Sequence, residues 1–152
     1  NELDVDSRPE SNAIVAASQV KAVVCSALPR SLESAKILKI DNITLSDPLF
    51  NEAGIPVANW RRPCLSVRLW AISFRVAWLF GYSCNSESLK ETRQRAIQAT
   101  DKLIEIAAEY QSVMLVGHRI FNHLIAKELR ARAWVGPAKP SKAYWQYGAL
   151  EY

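Results

Sequence analysis

Short uninterrupted apolar runs alternate along this chain with longer stretches in which apolar residues recur at helical spacing. Residues 20–26 (Val-Lys-Ala-Val-Val-Cys-Ser) and 113–116 (Val-Met-Leu-Val) predict strands. The second is expected to be central and covered on both faces, because no polar residue interrupts it. Residues 43–45 predict a further short strand stopped by Asp47-Pro48, and 143–147 a last one. Helices are predicted over 10–18, 31–38, 65–80, 88–110 and 120–133. Leu32, Ala35 and Leu38 share one side of the second. Leu65, Leu69, Ile72, Val76 and Leu79 share one side of the third, which Gly81 can end. Ser88 followed by Glu91 fits a capping box: the serine accepts from an orphan amide and the glutamate reaches back. Residues 50–63 hold prolines, a glycine and little periodicity, and read as a surface loop. Strands alternating with helices predict an α/β fold, a mostly parallel sheet with helices on both faces.

Composition leaves that picture intact and narrows the partners. At 152 residues one domain over 1–152 is expected, able to bury roughly two thirds of its unfolded surface. An apolar content of 49% with 22% charged residues is globular rather than disordered. The formal charge of +4 favours anionic ligands, but the Lys and Arg are scattered. No groove-reading motif accompanies them, so nucleic acid is not an expected partner. Arg68 and Arg75 interrupt the apolar stretch 65–80, which argues against a membrane span. Cys25, Cys64 and Cys84 are odd in number and lack C-x-x-C spacing, against both a disulfide framework and a zinc site. No secretory leader is visible, and a cytoplasmic location is expected.

Three places carry candidate chemistry. His118 follows the 113–116 strand through Gly117 and precedes a helix, the position where open α/β sheets bind ligands and where helix amides attract anions. Arg30 stands in the corresponding place after the 20–26 strand, where its guanidinium could fork onto phosphate oxygens. Glu52, in the loop after the 43–45 strand, could serve as a general acid toward a leaving oxygen. Spacing alone leaves each its ordinary alternative: a core or surface histidine, a solvated turn arginine, a solvated loop glutamate. His123, roughly 140° further round the helix, should not share a ligand with His118. Cys25 lies inside a predicted strand and reads as a small buried hydrophobe.

These pieces resemble, in order and spacing, the histidine phosphatase superfamily, the phosphoglycerate-mutase-like proteins. The family's Ser-Pro-Leu-x-Arg-Ala-x-x-Thr-Ala motif is matched by Ser26-Ala27-Leu28-Pro29-Arg30-Ser31-Leu32-Glu33-Ser34-Ala35. Its acid segment is echoed by Leu49-Phe50-Asn51-Glu52-Ala53-Gly54, and its Val-Gly-His-Gly element is similar to Val116-Gly117-His118-Arg119. The resemblance implies that Arg30 grips a phosphoryl group, that His118 contacts the same oxygens, and that Glu52 gives a proton to the leaving alcohol. It implies phosphomonoesterase chemistry in full-length relatives, through a phosphohistidine that water resolves, with no metal or cofactor.

Two departures modify that expectation. The attacking histidine of the family sits in an Arg-His-Gly motif on its first strand, and no Arg-His-Gly occurs in this sequence. The chain is therefore expected to begin after that strand and to bind a phosphate or small phosphorylated molecule with little or no turnover. A homodimer or strand exchange could then complete the sheet. Arg119 stands where the family has a small glycine, and either adds positive charge to a phosphate pocket or obstructs it. The alternative function is a non-catalytic interaction module using the tryptophan-rich segment 60–80, as a homodimer or with another partner.

Overall fold

The computed structural model describes residues 9, 11–57, 64, 66–137 and 145–152. The elements are α1 (Ser11–Gln19), β1 (Ala22–Ser26), α2 (Pro29–Ile37), β2 (Leu45–Asp47), a single 3-10 turn (Pro48–Phe50), α3 (Val67–Leu79), α4 (Leu89–Tyr110), β3 (Val113–Val116) and α5 (Arg119–Ala131). They divide into two compact units, Asn1–Glu52 with Ala96–Tyr152, and Ala53–Arg95.

The first unit holds an all-parallel sheet of order β2-β1-β3, with Val24 opposite both Leu45 and Leu115. Alternate residues of β1 point to opposite faces. Ala22 and Val24, with Leu45, Val113 and Leu115, pack against Ala99, Leu103 and Ile106 of α4 and Phe121 and Ile125 of α5. Val23 and Cys25 pack with Met114 and Val116 against Leu32 and Ala35 of α2. Ala13 and Ala17 of α1 join that second face beside Leu38 and Met114. The sheet is thus covered by helices on both faces, as the alternation of elements predicts.

Three strand expectations change. Every residue of β3 is half-buried rather than buried, because β3 is an edge of the sheet among the described strands. A groove of about 1060 Å³ runs along it, lined among others by Leu103, Ala107, Met114, Ile125 and Leu150. The strand predicted at 43–45 forms instead at Leu45–Asp47. Thr44 stands outside the ladder, its hydroxyl accepting from the Val23 amide while its own amide donates to the Val23 carbonyl. Of the strand predicted at 143–147, Trp145, Gln146 and Tyr147 carry no strand, and 143–144 lie outside the described residues.

In the second unit Ser66 caps α3 by accepting from the Leu69 amide, and Gly81 follows the helix with φ +99°. Phe74 and Trp78 are its buried residues, and the Trp78 indole N–H donates to the Glu87 carbonyl at 2.7 Å. The Arg75 guanidinium lies over the Trp78 ring and donates to the carbonyls of Ala53 and Gly54. The capping box forms as predicted: the Glu91 carboxylate accepts from the Ser88 amide at 2.8 Å, and Ser88 Oγ accepts from the Glu91 amide. Leu65 and Trp60, assigned to this segment from the sequence, lie outside the described residues.

Candidate functional site

Parallel pairing brings the carboxyl ends of the three strands to one side. Cys25 is in register with Val116 and Ser26 with Asp47, so the segments leaving β1, β2 and β3 start side by side. Each leads at once into a helical turn. After β1, Leu28 is the N-cap of α2 with Pro29 at its first position. After β2, Asp47 caps the 3-10 turn by accepting from the Leu49 amide, which carries Asn51 and Glu52 to the site. After β3, His118 is the N-cap of α5.

His118 is 7% exposed. Its Nε2 lies 2.9 Å from Ser26 Oγ and 3.2 Å from Ser31 Oγ, both buried hydroxyls. Ser26 Oγ in turn donates to Asn51 Oδ1 at 2.9 Å and accepts from the Leu28 amide at 3.1 Å, while Asn51 Oδ1 also accepts from the Ala27 amide. Burial pushes the imidazole below its ordinary value of 6.5; the Glu52 carboxylate opposes that shift and the Arg30 guanidinium adds to it. At neutral pH the ring is uncharged.

Arg30, Glu52 and His118 therefore share one electrostatic neighbourhood. Arg30 is exposed in the first turn of α2. Glu52 is turned inward: Oε1 accepts from the Phe121 amide at 3.0 Å and Oε2 from the Ile120 amide at 3.3 Å. It caps α5 where His118, the N-cap residue, makes no side-chain cap of its own. Arg119, exposed at the first position of α5, lines the groove along β3. His123 is half-buried within α5. Gly117 lets the chain pass close to α5: a Cβ there would come within 2.5 Å of Asn122 Oδ1, which is buried without a hydrogen-bond partner among the described residues.

Sequence reasoning did not single out Ser26, Ser31 or Asn51 for function. Ser26 and Ser31 belong to the stretch that carries Arg30, and Asn51 precedes Glu52, but no periodicity separates a network serine from a solvated one. Cys25 is fully buried, and desolvation pushes its thiol up to about 11, which keeps it protonated and poorly nucleophilic. Among the described residues no group of three or more His, Cys, Asp or Glu could hold a metal ion. No helix among them is long and apolar enough to cross a membrane.

What these residues can do chemically follows from their states. An exposed guanidinium, an imidazole held by two hydroxyls and the helix amino termini at adjoining strand ends suit a small oxyanion better than a cationic or apolar ligand. No family model and no curated protein matches the chain. A solved structure of the open reading frame Rv3214 from Mycobacterium tuberculosis shares the fold, with a TM-score of 0.55 over 92% of this chain and 78% of that one, at 18% sequence identity.

Proposed function

We propose that this domain binds a phosphate monoester, or another small phosphorylated molecule, at the carboxyl ends of β1 and β3. The carrying observation is that the buried His118 imidazole meets Ser31, the neighbour of Arg30 in the first turn of α2, at 3.2 Å. Arg30 grips the phosphoryl oxygens as a permanent cation. His118 makes the second contact, and Arg119 is the further guanidinium available to the anion. Glu52 holds the first turn of α5, and with it His118, in place; to act as a proton donor it would have to release the Ile120 and Phe121 amides. Turnover of a generic aryl phosphate is expected to stay near background, since the Glu52 carboxylate that would protonate the leaving alcohol is engaged by the Ile120 and Phe121 amides.

Millimolar phosphate or vanadate should raise the melting temperature of the wild-type protein, because a ligand that binds only the folded state stabilises it. Arg30→Ala should remove that shift while leaving the ligand-free midpoint close to wild type. A wild-type midpoint that does not move in millimolar phosphate overturns the reading.

One observation favours a second reading, that α3 mediates self-association. Leu69, Ile72, Val76 and Leu79 are 48–56% exposed and Phe80 is 88% exposed, on the side of α3 opposite Phe74 and Trp78. Their 3-4-3 spacing is that of a helix-pairing seam, which a second copy would match about a twofold axis. Sedimentation at rising concentration decides the point: a monomer throughout removes this reading, and a dimer lost in Ile72→Asp with Val76→Asp supports it.

A further inference from the structure

The hydrogen bonds around His118 admit a single arrangement of protons. The Ala27 amide can only donate, so the atom of Asn51 that meets it is the carbonyl oxygen, which fixes the orientation of that side chain. Ser26 Oγ is 2.9 Å from the same oxygen and must give it its one proton, since two acceptors at that distance would repel. Only lone pairs then remain on Ser26 Oγ. One accepts from the Leu28 amide and the other faces His118 Nε2 at 2.9 Å, so Nε2 must carry a hydrogen. Ser31 Oγ, at 3.2 Å, shares that hydrogen. In the neutral ring, Nδ1 is left with the bare lone pair, and no described residue bonds to it.

We infer that Asn51, acting through Ser26, is a positioning residue that locks His118 as its Nε2–H tautomer, and that the site thereby selects oxyanions that bring a proton of their own. The second half rests on the phosphate reading above. Inorganic phosphate, present mainly as hydrogen phosphate at about pH 8, offers bare oxygens to Arg30 and its one P–O–H to Nδ1. Sulfate near neutral pH has no proton to offer, and sets an oxygen lone pair against the nitrogen lone pair. Two charged groups act on His118 besides its burial, Glu52 from the segment after β2 and Arg30 from α2, and they act in opposite directions. Neither replaces the proton that Nδ1 lacks.

Nitrogen chemical shifts of the imidazole in ligand-free protein at about pH 8, well above the ordinary imidazole range, test the relay directly. A protonated Nε2 with an unprotonated Nδ1 is expected. Asn51→Leu should release the ring into a mixture of tautomers, and Asn51→Asp, which keeps an acceptor for Ser26, should restore the single one. An Nδ1–H tautomer in the wild type, or no change in Asn51→Leu, overturns the relay. At the same pH, phosphate should bind at least about tenfold more tightly than sulfate, because a site whose buried partner stays unpaired rejects the analogue that fails to pair it. The preference should shrink in Asn51→Leu. Equal binding of the two anions overturns the selectivity while leaving phosphate binding intact. Binding of neither overturns both the selectivity and the phosphate reading, and the nitrogen shifts still decide the relay.

Discussion

A histidine almost wholly withdrawn from water, with two serine hydroxyls at one nitrogen, ties stability to pH in a definite direction. Desolvation holds His118 below 6.5, so the unfolded chain takes up a proton at a pH where the folded one does not. Its contribution to stability is complete above about 6.5 and is lost as the pH falls toward the lower folded value. The denaturant midpoint should therefore be flat from about pH 8 to 7 and decline below about 6.5, and His118→Asn should flatten that part of the curve. Glu91, held below its ordinary 4.5 chiefly by the Ser88 hydroxyl, adds its own loss only further into acid. At this scale the sequence exposed the chemistry-bearing side chains but not their partners. The positions of Arg30, Glu52 and His118 after strands were readable from the alternation of apolar runs and helical stretches. The Asn51–Ser26–His118 chain was not, since it joins residues 25 and 92 positions apart through two atoms each.

Elements were legible where local chemistry marks them. The Ser88–Glu91 box announced α4, and β3 occupies the residues that its apolar run indicated. Residues 43–45 misled because Thr44 has a hydroxyl that can stand in for a ladder bond, which moves the pairing on to Leu45. Helix ends show a different economy. Lys39, Gln111 and Ala133 follow α2, α4 and α5 with φ of 59°, 67° and 68°, the left-handed region where a side chain is strained. After α5 the Trp134 amide returns to the Leu129 carbonyl at 3.1 Å, so the turn is fully formed in spite of that strain. Ala133→Gly should stabilise the protein by about 0.5–1 kcal/mol, read as a higher denaturant midpoint with an unchanged slope. A lower midpoint would mean that the alanine methyl makes a packing contribution larger than its strain.

On the scale of the whole molecule, parallel order and two-sided helical cover followed from the alternation of strands and helices. The rank of each strand did not. A run such as Val-Met-Leu-Val reads alike whether its second neighbour is a strand or a groove, because one face packs on α4 and α5 and the other on α1 and α2 in either case. Periodicity reports faces and is silent about edges.

That silence has a measurable counterpart in β3. Its amides lie alternately on the side of β1 and on the side of the groove, where no strand of the described residues receives them. Deuterium uptake along Val113–Val116 should accordingly alternate, slow at one residue and fast at the next, whereas all of β1, flanked on both sides, exchanges slowly. Anything that came to lie against the open side would even out the rhythm, and in doing so would make itself known one amide at a time.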